Sequence, residues 1–209
     1  MTILKKAMRS FFPECLAVLV LLSSCTVTDK PLPVFGNRIF NGTDTTYHTI
    51  APFALLDQDS SLVTNATVKG KVYVADFFFT SCRTICPKMK KQMTRIYEAT
   101  EGMDDFVILS HTIDPGHDDV AYLHGYAERL GAKTDRWHFL TGNRDTIFNL
   151  AQTSYFATAM EDKAEPDGYV HSGAFLLIDR QGRIRGKYDG TLEEEANRLI
   201  ADIKRLRRE

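Results

Sequence analysis

Runs of apolar residues that alternate with segments of helical periodicity organise most of this chain. The run Lys71–Phe79 is rich in β-branched and aromatic residues and is apolar at nearly every position toward its end. Such a strand is typical of the centre of a sheet that helices cover on both faces. Shorter runs of the same kind predict further strands at Asp105–Ile113, Trp137–Leu140, Gly173–Asp179 and Ile184–Tyr188.

Segments with apolar residues on one face of a helix lie between and after these strands. They predict helices at Pro87–Thr100, Asp118–Leu130, Arg144–Ser154 and Thr191–Arg208. The order is three strand–helix units, then a hairpin that turns at residues 180–182, then a last helix. Parallel crossovers followed by an antiparallel pair predict an α/β protein with a thioredoxin-like fold, in which helices flank a mixed central sheet.

The N-terminal segment has the pattern of an export signal. A short basic stretch precedes an apolar run, Cys15–Leu22, that is too short to span a bilayer. The run ends in Leu-Ser-Ser-Cys25, which resembles the bacterial lipobox, where the cysteine becomes the lipid-modified first residue after cleavage. We therefore interpret residues 1–24 as a lipoprotein signal peptide and expect lipidation at Cys25.

The segment that follows has the composition of a tether. Residues 25–46 are polar and are interrupted by prolines and glycines, whereas residues 47–209 carry the strand and helix patterns. The chain is thus expected to be an extracytoplasmic lipoprotein of the cell envelope, with one domain tethered to a membrane through a lipid anchor.

The charge balance argues against nucleic acid as a partner. The chain has 26 basic and 27 acidic residues, a formal net charge of −1. Cleavage after residue 24 would remove Lys5, Lys6, Arg9 and Glu14, which changes the net charge to −3. Bulk electrostatic attraction to nucleic acid or to an anionic membrane is therefore not expected.

Two cysteines carry the candidate chemistry of the domain. Cys82 and Cys86 follow the predicted central strand and stand at the start of a predicted helix. Backbone N–H groups at a helix start stabilise thiolates, so lowered pKa values are expected for both cysteines. Because a thiolate is both the nucleophile of disulfide exchange and a soft metal ligand, the pair is either redox-active or part of a metal site.

The spacing and the histidines bear on this choice. Thioredoxin-type redox pairs have two residues between their cysteines, and here there are three. Two thiolates need a third ligand to hold Cu(I) or Cu(II) well, and an imidazole suits both ions. His171 is the best placed histidine, because it precedes a predicted core strand. His111, at the end of the neighbouring strand, is its rival, and Asp114 is a possible assisting group.

From Phe53 onward the chain resembles the Sco/SenC family of thioredoxin-fold copper proteins. The resemblance rests on the motifs Phe78-Phe-Thr-Ser-Cys-Arg-Thr-Ile-Cys-Pro87, Thr112-Ile-Asp-Pro115, Trp137-His-Phe-Leu-Thr-Gly142 and Tyr169-Val-His171. It implies that Cys82, Cys86 and His171 bind copper. It also implies a membrane-tethered chaperone that delivers copper to the Cu(A) site of a cytochrome c oxidase subunit, or to another copper protein.

A chaperone of this kind is not an enzyme, since it passes an ion by ligand exchange. Reversible formation of a Cys82–Cys86 disulfide would decide whether it can bind copper. The alternative is a thiol–disulfide oxidoreductase in which Cys82 attacks and Cys86 resolves. Two departures from the family pattern keep it open: Arg83-Thr84 stands where Pro-Asp is common, and Val170 stands where an acidic residue is common before the histidine.

Overall fold

The computed structural model describes residues 30–162, 164 and 168–209. The predicted signal peptide and Cys25 lie outside the described residues. Within the described part of the chain, no helix is long and apolar enough to cross a membrane.

The elements of the fold follow the predicted order closely. The strands are β1 (Arg38–Phe40), β2 (Thr45–Tyr47), β3 (Ala54–Leu56), β4 (Leu62–Thr64), β5 (Val72–Phe78), β6 (Phe106–Thr112), β7 (Trp137–Leu140), β8 (Ala159–Glu161), β9 (Tyr169–His171), β10 (Ala174–Ile178) and β11 (Ile184–Asp189). The helices are α1 (Cys86–Ala99), α2 (Val120–Leu130), α3 (Arg144–Asn149), which continues into a π-helical turn (Leu150–Ser154), and α4 (Glu193–Leu206).

A five-stranded sheet in the order β11-β10-β5-β6-β7 forms the centre of the domain. Strands β5, β6 and β7 run parallel, and β10 is antiparallel to both of its neighbours, β5 and β11. All seven residues of β5 are buried, as the continuous apolar pattern predicts for a central strand. This arrangement confirms the predicted thioredoxin-like mixed sheet with flanking helices.

The helix after β6 is fixed at both ends by the chemistry of its caps. The Asp119 side chain accepts a hydrogen bond from the Tyr122 N–H at 2.8 Å, so α2 begins at Val120 and not at the predicted Asp118. Gly131 ends the helix in the left-handed conformation (φ 63°), which glycine adopts without steric cost. Asp118 is thereby left outside the helix, with its carboxylate available for other contacts.

The predicted single helix Arg144–Ser154 is instead an α-helix with a π-helical end. Asn143 caps it as expected, through a bond from the Thr146 N–H at 2.9 Å. At the other end, the Ser154 carbonyl contacts His48 Nε2 at 2.7 Å, and its hydroxyl accepts from the Ala51 N–H at 2.7 Å. These contacts with distant residues hold the last helical turn. They could not be predicted from the apolar periodicity of the helix.

Residues 32–35 of the predicted tether contact the domain, which corrects the expectation for that part, whereas most of residues 36–46 are exposed. The compact unit begins at Pro31, and Leu32 is buried. The buried Arg185 donates to the Leu32 carbonyl at 2.7 Å, and the Phe35 N–H donates to the Ile184 carbonyl at 2.8 Å. A buried guanidinium needs acceptors, and this irregular segment supplies them without any periodic signal in the sequence.

A short hairpin outside the central sheet carries His171. Strands β8 and β9 pair antiparallel, with Ala159 opposite His171 and Glu161 opposite Tyr169. The Ser172 N–H donates to the Thr158 carbonyl at 2.9 Å and extends this pairing. His171 therefore lies in a strand of its own hairpin and does not simply end a loop.

Candidate metal centre

The two cysteines lie where the central strand leaves the sheet and the first helix begins. Cys82 is in the connection, with its N–H donating to the Phe79 carbonyl at 3.3 Å, and Cys86 is the first residue of α1. Both are free thiols, and they are only 7% and 8% exposed. Pro87 fits the first turn of α1 because its missing N–H would have had no partner there.

A buried carboxylate fixes the start of this connection. Asp118 accepts from the Thr80 N–H at 3.0 Å and from the Thr112 hydroxyl at 2.6 Å, and the Thr80 hydroxyl donates to its other oxygen. Asp118 is fully buried and so links the ends of β5 and β6 just before Cys82. This role was not predicted, because the residue pattern placed Asp118 at the start of a helix.

The third predicted residue comes to the same place from the β8–β9 hairpin. The Nε2 atom of His171 lies 3.4 Å from the sulfur of Cys86 and 3.9 Å from that of Cys82. All three potential ligand atoms are within 4.8 Å of one another. The His171 ring packs edge-on against Phe79, with ring centroids 5.5 Å apart. Among the described residues, this is the cluster of His, Cys, Asp and Glu able to hold a metal ion.

The two thiols differ in acidity, contrary to the expectation that both pKa values are lowered. Burial raises the pKa of Cys82, but hydrogen bonds from the side chain and backbone of Thr84 and the backbone of Cys86 outweigh it, and the net shift is downward. The Thr84 hydroxyl is 3.5 Å from the Cys82 sulfur. Burial, with added repulsion from Cys82 and Asp76, raises the pKa of Cys86 far above its usual value.

The imidazole of His171 is neutral, and one of its two ring nitrogens has no hydrogen-bond partner among the described residues. Burial lowers the pKa of His171, so the ring keeps a lone pair for a metal ion at neutral pH. Its Nδ1 atom is buried and makes no hydrogen bond within the described part of the chain. Metal-bound histidines usually donate this second ring N–H to an acceptor, and Val170 has no side-chain oxygen to offer. Two thiols and one neutral imidazole nevertheless form a donor set suited to copper.

His111 is not brought to this centre. It is a fully buried residue of β6, its ring is stacked on Phe77 with centroids 4.9 Å apart, and its Nδ1 contacts the Asp76 carbonyl at 3.2 Å. Burial lowers the pKa of His111 to about 4, so it is a neutral core histidine. The other histidines have partners elsewhere: His138 bonds to Asp57 and His124 to Asp59.

Asp114 supports the hairpin that carries His171. Its carboxylate accepts a hydrogen bond from the Tyr169 hydroxyl at 2.9 Å, and the Tyr169 ring packs on Phe79 at 5.2 Å. Tyr169 is two residues from His171 on the same strand. The turn after β6 therefore holds both halves of the centre, the cysteine connection through Asp118 and the histidine strand through Asp114.

A cavity of about 190 Å³ leads to the centre from the surface. Its lining includes Thr84 and Ile85 on the cysteine side, and Tyr169, Val170 and His171 on the histidine side. An incoming ligand group can therefore approach the His171 ring from this side.

A sequence model described as SCO1/SenC matches residues 41–208, which is most of the chain. The chain belongs to the SCO1/SenC family. The first of three similar solved structures is a SCO1/SenC family lipoprotein from Bacillus anthracis, with 29% identity and a TM-score of 0.69. The match covers 76% of this chain and 95% of that one.

Two further structures of the family have descriptions that bear on chemistry. BsSco, described as a Sco-family cytochrome c oxidase assembly protein with a disulfide switch, is 31% identical, with a TM-score of 0.66 and coverage of 75% and 92%. ScoI of Bradyrhizobium japonicum, solved with copper bound, is 25% identical, with a TM-score of 0.62 and coverage of 76% and 99%. The same fold thus carries copper in a relative.

Proposed function

We propose that this chain is a copper chaperone that binds one copper ion through Cys82, Cys86 and His171. The observation that carries the proposal is the convergence of two thiols and a neutral imidazole within 4.8 Å. Thiolates and imidazole are the ligands that copper prefers in its two oxidation states. The structure of the relative ScoI with copper bound supports copper as the ion.

The recipient of the copper is the Cu(A)-bearing subunit of a cytochrome c oxidase. Support comes from the description of BsSco as an oxidase assembly protein. The cavity beside Val170 gives a recipient's ligand group a path to the metal, so that copper passes by stepwise ligand exchange. Oxidation of Cys82 and Cys86 to a disulfide removes two of the three ligands. The oxidised protein then releases bound copper or cannot bind it.

The domain is held on the outer side of a membrane by lipid at Cys25. The lipobox pattern ending at Cys25 supports this location, as does the description of the Bacillus anthracis relative as a lipoprotein. In an oxidising compartment, the state of the Cys82–Cys86 pair then depends on reductants supplied there.

Thiol–disulfide exchange is the second candidate function. The observation that favours it is the asymmetry of the pair, in which the pKa of Cys82 is lowered and that of Cys86 is raised. A thiolate at Cys82 can attack a partner's disulfide, and Cys86 can then displace the partner.

The deciding experiment compares copper binding by the reduced protein with that of two histidine variants. We expect Cu(II) to give an intense thiolate-to-copper absorption band, which His171→Ala abolishes or greatly weakens. His124→Ala is the matched control, because His124 is exposed and pairs with Asp59, away from the centre. Copper transfer to a Cu(A)-domain acceptor is followed by the appearance of its characteristic spectrum.

The opposite result has a clear meaning for each part of the proposal. If His171→Ala binds copper as tightly as the wild type while disulfide reductase activity persists, the exchange function replaces the chaperone. For the anchor, Cys25→Ser is expected to prevent lipidation. A Cys25→Ser protein that still carries lipid would show that Cys25 is not the attachment site.

A further inference from the structure

Basic side chains cluster at the end of the domain where the tether joins it. The N-terminal ends of the parallel strands lie here, and Arg180 in the β10–β11 turn bonds to Asp105, just before β6, at 2.8 Å. The last turn of α4 reaches the same place, because Arg207 Nε donates to Asp105 at 2.6 Å. We call this the tether-end face; its basic residues are Lys69, Lys71, Arg180, Lys204, Arg207 and Arg208.

Positive charge exceeds negative charge on this face. Asp105 forms ion pairs with both Arg180 and Arg207. Its single negative charge therefore offsets only one of their two positive charges. Lys69, Lys204 and Arg208 are exposed to solvent. Glu101 and Asp104, on the turn between α1 and β6, are exposed carboxylates nearby in sequence, as is Glu209, whose charge is paired with Arg185. The face is therefore locally cationic, although the whole chain is slightly acidic.

An exposed apolar hairpin adjoins the basic residues. In β1, Ile39 is 62% exposed and Phe40 is 72% exposed, an unusual solvent exposure for large apolar side chains. The hairpin is fixed to the same end of the domain, since the Arg183 guanidinium lies 5.6 Å from the centre of the Tyr47 ring in β2. Basic residues next to exposed aromatic and aliphatic side chains are the pattern of a surface that rests in a membrane interface.

The position of the anchor decides which partner fits this face. Leu32 is buried and held by Arg185, so the chain is fixed to the domain from that point. The seven residues from Cys25 to Leu32 span at most about 25 Å when fully extended. If Cys25 carries lipid, as proposed above, the tether-end face is the part of the domain that is confined next to the bilayer.

We propose that the tether-end face rests on the surface of the anionic bilayer that holds the lipid anchor. Lys204, Arg208 and their neighbours contact phosphate headgroups, and Ile39 and Phe40 enter the interfacial layer. Cys82 and Cys86 follow the other end of β5, whose seven residues rise about 20 Å. The contact therefore orients the copper centre away from the bilayer, toward a partner's extramembrane domain.

The test uses the lipidated full-length protein, reconstituted into vesicles that contain a dansyl-labelled lipid. Trp137 is the single tryptophan of the chain and is buried at the start of β7, so its emission reports distance to the bilayer without direct lipid contact. We expect stronger energy transfer in vesicles of phosphatidylcholine with phosphatidylglycerol than in phosphatidylcholine alone. In about 1 M salt, where the screening length falls to about 3 Å, the difference should disappear.

Matched variants locate the contact. Each basic residue near an anionic surface contributes about a fivefold factor, so Lys204→Gln/Arg208→Gln should weaken the contact equilibrium roughly 25-fold. Lys88→Gln/Lys91→Gln, which removes the same charge from exposed positions of α1 near the metal centre, should leave the transfer unchanged. Ile39→Ser/Phe40→Ser should lower the transfer in both kinds of vesicle.

The outcomes separate this inference from the proposals on which it rests. If energy transfer is equal in both vesicle types and Lys204→Gln/Arg208→Gln does not change it, the proposed membrane contact is wrong. The basic face would then be a candidate binding surface for an acidic protein. Failure of the wild type to float with vesicles at all contradicts the anchor instead. The copper absorption band, measured on the same samples, reports the metal centre independently of both.

Discussion

The two arms that form the metal centre differ in how they are built. The cysteine arm, Thr80–Cys86, continues the buried central strand and is bound by the buried Asp118. The histidine arm, formed by β8 and β9, is a separate two-stranded hairpin whose strand β9 is only half-buried. The two cysteine side chains of the first arm are buried in the core, although Ser81, Arg83 and Thr84 beside them are exposed, whereas the second arm is attached to the core at a few points.

This difference suggests how a protein can hold copper and still release it. The thiols are set by the same packing that stabilises the whole domain, so their positions change only at a large free-energy cost. The imidazole depends on local contacts, among them the Tyr169–Asp114 hydrogen bond and the ring packing on Phe79. In the proposed copper complex, movement of the histidine arm alone would change the number of copper ligands from three to two.

The largest expected effect concerns Asp76, which lies in β5 beneath the cysteine arm. Burial raises the pKa of Asp76 to about 7 from its ordinary 3.8, although a hydrogen bond from Ser110 opposes this. The folded state holds the proton more tightly than the unfolded state, so the stability that Asp76 contributes is fully present below about pH 4 and is lost as the pH rises through about 7. The loss is about 4 kcal/mol, at 1.36 kcal/mol per unit of pKa.

Asp76→Asn removes this titration, so the variant should be up to about 4 kcal/mol more stable than the wild type at pH 8. The advantage should shrink as the pH approaches 4. Urea unfolding across this pH range measures the difference, and Asp145→Asn, at a highly exposed side chain, is the control. An advantage for Asp76→Asn that does not vary with pH would contradict the assignment.

Asp118→Asn should break the link between the ends of β5 and β6. An amide group cannot accept all of the bonds that the carboxylate accepts from Thr80 and Thr112, so unfolding free energy should fall by roughly 2 kcal/mol. The Cu(II) absorption should weaken as well, because the cysteine arm loses its anchor. Asp119→Asn is the matched control, since asparagine caps a helix as well as aspartate does.

Tyr169→Phe should separate the arms most clearly. It removes the hydroxyl that donates to Asp114 and so loosens the histidine arm, while the core is untouched. Cu(II) affinity should fall about tenfold, as is usual when a group that supports a ligand is lost. Unfolding free energy should change by less than about 1 kcal/mol. Equal copper affinity in Tyr169→Phe and the exposed control Tyr122→Phe would show that the hydrogen bond does not position His171.

Thr84→Val should have the smallest effect, confined to the cysteine arm. Burial raises the pKa of Cys82, and the Thr84 hydroxyl is among the groups that reverse this, so its loss should shift the pKa upward. The measurement is the rate of thiol alkylation against pH in the reduced, metal-free protein. Thr94→Val, farther along α1, should leave the profile unchanged. Superimposable profiles for Thr84→Val and the wild type would assign the lowered pKa to backbone groups alone.

Much of the centre was predictable because the cysteine arm is local in sequence. A continuous apolar strand, two cysteines and a proline at a helix start predicted where Cys82 and Cys86 lie. His171 was chosen by its place before a core strand, and the structure brings it within 3.4 Å of Cys86. The roles of Asp118 and Thr84 escaped prediction, because hydrogen bonds between distant or irregular segments leave no periodic signal.

Residue patterns predicted the order of the central strands and of the helices, the central position of β5 and the three candidate ligands, but not the short strands β1–β4, β8 and β9. These predictions rest on patterns that act over a few neighbours, such as continuous apolar runs and helical spacing. Only the folded structure shows that residues 32–35 contact the domain, that His171 lies on a hairpin, and that the pKa values of the two thiols move in opposite directions. Burial and long-range hydrogen bonds set these features, and both depend on which segments meet when the whole chain folds.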